Sequence, residues 1–212
     1  MNENLRILKI AFLSLLLSAC MTFEAPIRDA QPLDLPVGTN PVSASVGVYY
    51  SPAFLMFAHD ESLMGQHTMH FDMGESAADH FDEVFLALFD NVKIINNLPP
   101  YLDDSAGLDG VIEPMFEQMV VDDPTLNFFG EEYDVTLVFA FRLLALDGET
   151  LASWSIRGRG DSELGFVGNG FGGSNVAADA ASLALEDVSR QLLTGFRDVP
   201  GVDQWLNSLE QQ

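Results

Sequence analysis

The side chains best suited to bind a metal ion or to transfer a proton are histidines and carboxylates in the middle of the chain. His67 and His70 are three residues apart, a spacing that places them on opposite faces of a strand. On a turn the two rings would converge, and His80 or Asp72 would complete a metal site. Solvated or hydrogen-bonded histidines are the simpler interpretation, so we predict no metal site and no cofactor.

Carboxylates also form three clusters in predicted loops: Asp103-Asp104 with Asp109, Asp122-Asp123, and Glu131-Glu132. Loops with several carboxylates can hold Ca²⁺. The segment from Asp104 to Gly110 lacks the alternating acidic residues of an EF-hand, however. Solvated loop charge is therefore the simpler interpretation.

The sequence contains no motif for nucleophilic catalysis. It has no Gly-x-Ser-x-Gly segment, which would place a serine on a strained turn. The glycine-rich run 168–173 precedes a predicted helix, as a phosphate-binding loop does, but no lysine follows it. We therefore predict no catalytic residues and expect that the protein is not an enzyme.

The first twenty residues have the order of an export signal. Arg6 and Lys9 are followed by residues 10–17, which are apolar except for Ser14. This run fits the hydrophobic region of a signal peptide and is too short to span a bilayer. We assign residues 1–19 to a signal peptide.

The segment Leu17-Ser18-Ala19-Cys20 resembles a bacterial lipobox, whose cysteine becomes the lipidated first residue of the mature protein. Cys20 is the single cysteine of the chain and has no disulfide partner in an oxidising compartment. The alternative is an ordinary secretory signal that ends in cysteine by chance. Met21 stands where an Asp tends to mean inner-membrane retention, so the resemblance implies the inner leaflet of the outer membrane, facing the periplasm.

The charge of the chain excludes several classes of partner. It has 32 acidic and 9 basic residues and a net charge of -23. Nucleic-acid binding requires a large basic patch, and docking by charge onto anionic lipid has the same requirement. With 48% hydrophobic residues in 212, the chain can bury the core of one domain.

Four prolines separate Cys20 from the first predicted strand: Pro26, Pro32, Pro36 and Pro41. Proline interrupts helices and strands and favours extended polyproline II. We therefore predict a lipidated N-terminus and tether over residues 20–42, which at ~3.1 Å per residue reaches up to ~60 Å. Residues 43–212 then form a single periplasmic domain.

Hydrophobic periodicity predicts the elements of this domain. Strands are expected at 46–50, 67–73, 111–121, 133–144 and 151–158, and helices at 76–92 and 174–195. Ser76 is the expected N-cap of the first helix, and Pro114 places its strand at a sheet edge or bulge. The fold class is α/β or α+β, with a mixed, largely antiparallel sheet and two main helices packed on it.

Several short motifs follow one another along the chain: the lipobox, the proline-rich segment, Asp-Gly-Val-Ile-Glu-Pro at 109–114, a hairpin with Asp147-Gly148 and Trp154, and an alanine-rich helix. This order resembles small Gram-negative envelope lipoproteins whose domain is akin to the curli-secretion lipoprotein and to the amino-terminal domain of the Tol-system periplasmic protein. The resemblance covers residues 43–195. It implies binding to other envelope proteins rather than catalysis.

The sequence thus predicts a non-catalytic, outer-membrane-anchored lipoprotein that binds a partner protein in envelope assembly or maintenance. Tyr101, Phe128 and Phe129 stand among loop carboxylates and are the predicted partner contacts, although both phenylalanines could equally fold onto the core. The alternative function is a small-ligand or lipid-binding accessory lipoprotein of an envelope transport system. An apolar cavity would favour that carrier, and an exposed apolar patch would favour the partner-binding protein.

The lipobox interpretation predicts that a fatty-acid probe labels the wild-type protein in cells and does not label Cys20→Ser. Labelling is read by gel fluorescence at equal expression of the two proteins. Equal labelling of both would contradict lipidation at Cys20.

Overall fold

The structure, a computed structural model, describes residues 21–32, 36–37, 40–63, 67–101, 107–122, 132–163 and 173–211. The strands are β1 (Met21–Glu24), β2 (Val42–Val48), β3 (Ala58–Leu63), β4 (His67–Asp72), β5 (Phe89–Ile94), β6 (Gly110–Asp122), β7 (Glu132–Leu144) and β8 (Thr150–Glu163). The helices are α1 (Pro52–Leu55), α2 (Gly74–Leu88), α3 (Gly173–Gly195) and α4 (Val202–Leu209). Among the described residues, no helix is long and apolar enough to cross a membrane.

The main sheet has five strands in the order β5-β2-β6-β7-β8. Strands β5, β2 and β6 are parallel, and β6, β7 and β8 are antiparallel. Helices α2 and α3 pack on one face of this sheet, where the ring of Phe81 meets those of Phe139 and Phe141 at centroid distances of 5.0 and 5.2 Å. The predicted mixed sheet with two main helices is confirmed.

Small residues let α3 lie directly on β8. A Cβ atom at Gly160 would stand 2.1 Å from the carbonyl oxygen of Ala180, and one at Gly158 would stand 2.2 Å from that of Ala184. Both alanines are fully buried. The alanine stripe of the predicted second helix therefore faces glycines, which is the close packing that the sequence indicated.

Pro114 lies where β6 loses its neighbour β2. The two strands pair only over Val46–Val48 and Gly110–Ile112, and Ile112 accepts a hydrogen bond from the backbone of Tyr49. Because backbone groups alternate along a strand, the nitrogen of Pro114 faces the same side as Ile112, past the end of the pairing. The prediction that this strand lies at a sheet edge is wrong, because β6 is the central strand of five, and Pro114 is accommodated beyond the end of the pairing with β2.

A second, three-stranded sheet in the order β1-β4-β3 was not predicted as such. Strand β4 pairs antiparallel with β3 and parallel with β1. The predicted strand at 67–73 is therefore the centre of this sheet. Its two neighbours went unrecognised because β3 is mostly polar and β1 has four residues followed by proline.

Residues 21–28, which the sequence assigned to the tether, pack on the domain; we call them the N-terminal arm. Ala25 is buried and its backbone donates a hydrogen bond of 2.9 Å to the carbonyl of His70. The backbone of Arg28 donates to Ser182 at 2.9 Å, and its guanidinium lies 2.9 Å from Asp179. A free tether therefore does not describe this segment, since its prolines begin only after β1.

The predicted N-cap of the first long helix is wrong. Helix α2 begins at Gly74, and Met73 occupies the N-cap position without a side-chain hydrogen bond. The reason is a tertiary contact. The backbone N–H of Gly74 donates a hydrogen bond of 3.0 Å to the carbonyl of Phe57, which holds the first turn of the helix two residues ahead of Ser76.

Candidate partner-binding site

The run Pro52 to Ala58 is apolar throughout and forms a short helix with a turn after it. Ser51 caps α1 by accepting a hydrogen bond of 3.1 Å from the backbone of Phe54, and Pro52 stands at the start of the helix, where its missing N–H costs nothing. The helix ends after Leu55. The run therefore projects as one compact turn between β2 and β3.

Two aromatic side chains anchor this turn in the core. Phe54 is 3% exposed, and its ring lies 5.4 Å from that of Tyr50 and 6.2 Å from that of Phe81. The ring of Phe57 stacks on Phe116 at 3.7 Å. Aromatic contacts of this kind stabilise beyond the area they bury, so the turn has a fixed position.

Backbone contact with the start of α2 also fixes the position of this turn. A Cβ atom at Gly74 would stand 2.2 Å from the carbonyl oxygen of Leu55, so α1 and the start of α2 are in direct contact. The hydroxyl of Tyr50 donates to Asp82 at 2.7 Å. Burial raises the pKa of Tyr50 and also that of Asp82, and the protonated phenol stays available as the donor that ties the end of β2 to α2.

The remaining side chains of the turn face solvent. Leu55 is 37% and Met56 is 74% exposed, and Pro52 and Ala53 are exposed beside them. We call these four residues the apolar apex. Scattered single apolar residues are normal on a surface, whereas a contiguous group indicates an interaction site.

Three exposed carboxylates adjoin, in sequence or in strand register, residues that belong to the turn or contact it: Asp72, Glu75 and Glu117. Asp72 pairs with Ala58 across β3 and β4. Glu75 follows Gly74, which touches Leu55, and Glu117 follows Phe116, which stacks on Phe57. We call these three residues the acidic rim. No salt bridge joins them to the arginines of the described segments.

Tyr101, one of the three residues predicted from the sequence as partner contacts, is not part of this group. Tyr101 is half-buried against a small cluster with Leu108, Val111 and Leu144, and its hydroxyl donates to the carbonyl of Asn97 at 2.9 Å. Burial raises the pKa of Tyr101. Phe128, Phe129 and the predicted lipidation residue Cys20 lie outside the described residues.

Three of the histidines, His59, His70 and His80, have hydrogen-bond partners in the described structure. Nδ1 of His70 lies 2.6 Å from Asp60, and that hydrogen bond raises the pKa of His70. His59 lies 3.1 Å from Glu61, and His80 lies 3.2 Å from the carbonyl of Arg28. In the described part of the chain, no three histidine, cysteine or acidic side chains are grouped as metal ligands.

A cavity of about 400 Å³ opens beside α3 under the segment that follows the N-terminal arm. His80, Glu186, Ser189 and Arg190 contribute polar or charged groups to its wall, and Leu193 contributes an apolar one. The hydroxyl of Ser189 is buried without a hydrogen-bond partner in the described structure. Most of the surface exposed in this cavity is apolar, as in ligand pockets, and the charged side chains of Glu186 and Arg190 border it.

The periodicity of apolar residues did not predict the apolar apex, which directly follows the predicted strand at 46–50. A signal was present in the sequence: Ser51 and Pro52 form a helix start, and an uninterrupted apolar run follows. Such a run is too short for a core helix, and the exposure of Met56 comes from the tertiary structure alone.

Comparison with known proteins identifies no family. No protein-family model matches the chain, and no curated protein matches it. Similar solved structures include a DUF330 protein from Xanthomonas campestris, with 14% identity, a TM-score of 0.44, and coverage of 84% of this chain and 98% of that one. A proposed lipoprotein from Caulobacter crescentus has 8% identity, a TM-score of 0.41, and coverage of 64% of this chain and 83% of that one. Uncharacterized lipoprotein B from Nitrosomonas europaea has 13% identity, a TM-score of 0.37, and coverage of 82% of this chain and 97% of that one. Similarity at this level assigns neither a family nor a function to the chain.

The packing of the turn predicts a large effect on the free energy of unfolding for one substitution and a small effect for another two residues away. Phe54→Ala should lower the free energy of unfolding by about 3–5 kcal/mol, because it empties a buried aromatic site. Met56→Ser should change it by less than about 0.5 kcal/mol, because the side chain is in solvent. Urea denaturation of the purified proteins measures both, and a large loss for Met56→Ser would show that the apex is core.

Proposed function

We propose that this protein is a lipid-anchored, non-catalytic protein of the cell envelope that binds a partner protein through the apolar apex. Its lipid would be attached at Cys20 and held in the inner leaflet of the outer membrane. The observation that carries the proposal is the rigid mounting of exposed Leu55 and Met56. A fixed apolar surface loses little conformational entropy on binding, which favours a specific partner.

The position of the apex relative to Cys20 supports a partner on the periplasmic side. Met21, the residue after Cys20, pairs with His67 at one end of the three-stranded sheet, where β3 ends at Leu63. The apex precedes Ala58, at the opposite end of β3. Six residues of strand separate the two ends by about 17 Å. The apex is thus directed away from the lipidated end of the sheet.

Structural partners of the buried ionisable groups support a non-catalytic role. Glu113 is buried and accepts a hydrogen bond of 2.9 Å from Nε of Arg142 on the neighbouring strand. His80 is buried, and its Nε2 lies 3.2 Å from the carbonyl oxygen of Arg28. Both interactions join elements of the fold, which is the expected use of buried polar groups in a structural domain.

The location of the apolar surface, exposed or in a cavity, distinguishes the two candidate functions that the sequence left open. A contiguous exposed apolar group favours a partner-binding protein, whereas a carrier of lipid needs an apolar cavity. Most of the surface exposed in the cavity beside α3 is apolar, but the charged side chains of Glu186 and Arg190 border it. The apex therefore supports partner binding more strongly than the carrier function.

A photo-crosslinking amino acid placed at position 56 of the full-length protein in living cells tests this proposal. We expect a discrete adduct with one envelope protein. The matched control is the same amino acid at Leu86, which is also apolar and 59% exposed but lies on α2. No adduct at position 56, or the same adducts from both positions, would contradict the proposal.

A further inference from the structure

We infer that the partner of the apolar apex is a protein with an apolar groove flanked by basic side chains. This inference rests on the proposed function and names the chemistry of its partner. Three features of the described structure carry it: the convex shape of the apex, the acidic rim, and the position of the apex away from the lipidated end of the chain.

The shape of the apex requires a concave receiving surface. Leu55 and Met56 project from one helical turn whose backbone is held by Phe54, Phe57 and Gly74. Such a turn does not flatten to match a planar surface without losing those contacts. A groove that encloses both side chains removes the most apolar area from water, and a few enclosed anchors supply most of the energy of an interface.

The acidic rim sets the charge of that groove. Asp72, Glu75 and Glu117 adjoin residues that belong to the turn or contact it, and no salt bridge joins them to the arginines of the described segments. Docking the apex brings these carboxylates to the border of a surface shielded from water, where an unpaired charge is destabilising. Basic side chains on the partner remove that penalty, and the net charge of -23 would steer a basic surface toward the domain.

The same charges disfavour the other candidate occupants. An anionic bilayer repels the acidic rim, and the apex lies at the far end of β3 from Met21. A second copy of this chain would bring two acidic rims face to face. A protein with a basic border is the occupant that agrees with both the position and the charge of the site.

The test compares two charge variants in the full-length protein that carries the photo-crosslinking amino acid at position 56. The rim variant neutralises the three carboxylates of the acidic rim: Asp72→Asn, Glu75→Gln and Glu117→Gln. The control variant makes the same change in net charge with three other exposed carboxylates: Asp90→Asn, Asp203→Asn and Glu149→Gln. Both variants are first compared with the parent by urea denaturation, so that any loss of folding is measured directly.

The control residues match the rim in chemistry and differ in position. Asp203 lies in the first turn of α4, as Glu75 does in α2, so each variant removes one favourable charge from a helix N-terminus. Asp90 follows Phe89, which pairs with the first residue of β2, and Glu149 lies in the turn between β7 and β8. The apex follows the opposite end of β2.

We expect the crosslinked fraction to fall about fivefold or more in the rim variant and to stay unchanged in the control variant. An adduct that forms equally well in parent, rim and control proteins would overturn the basic-groove inference and leave partner binding by the apex standing. Equal losses in the two variants would overturn it as well, because only the total charge would then matter. Absence of any adduct in the parent would instead contradict the proposed function.

A vesicle experiment separates the protein partner from a lipid surface. The Cys20→Ser protein is sedimented with vesicles of phosphatidylethanolamine and phosphatidylglycerol. We expect it to stay in the supernatant with or without Met56→Asp. Sedimentation that Met56→Asp abolishes would show that the apex binds lipid and would overturn the inference.

Discussion

The backbone pairing of β1 with β4 decides how the domain lies relative to Met21, the first described residue. Four residues pair in parallel register, from Met21 with His67 to Glu24 with His70. Ala25 then enters the core, and Arg28 binds α3 through both its backbone and its side chain. These contacts join the segment after Cys20 to the domain. The position of the first described residue is therefore a property of the fold and does not depend on the extension of a free proline-rich chain.

Because the N-terminal arm packs on the domain, the apolar apex has a fixed direction relative to Met21. If residues 21–42 were a free tether, the domain could turn in any direction, and no surface would be directed away from the membrane. With the arm in place, the two ends of β3 differ: Leu63 lies beside the register of Met21, and Ala58 adjoins the apex. The aromatic contacts of Phe54 and Phe57 then fix the direction in which Leu55 and Met56 project.

The parts of the fold that the sequence predicted are those with a strong local pattern. The apolar residues of β7 alternate over its length because one of its faces is fully buried. The alanines of α3 recur at helical spacing because they lie on the glycines of β8. Strand β3 has no such pattern: His59 and Glu61 occupy its inward positions, and the ring of His59 packs near Phe71. Periodicity of apolar residues cannot identify a strand whose inner face is polar.

The start of α2 and the candidate site could not be predicted for a related reason. The pattern placed Ser76 at the N-cap, but a hydrogen bond from Gly74 to Phe57 starts the helix earlier. The exposure of Met56 likewise follows from the way Phe54 and Phe57, on either side of it, enter the core. Both features depend on contacts between α1 and α2, which are set by the tertiary structure.

The central proposal is that a lipid at Cys20 and the docked arm hold one end of the domain near the bilayer and the apex away from it. Fluorescence energy transfer from a single dye to acceptors in the bilayer surface measures this height for the lipidated protein in nanodiscs. Because lipidation consumes the thiol of Cys20, Met56→Cys and Ser62→Cys each provide one free thiol for the dye. The account predicts that the dye at position 62 lies nearer the bilayer than the dye at position 56, by up to about 20 Å at the rise of a strand. Equal heights, or a dye at position 56 that lies nearer, would contradict it.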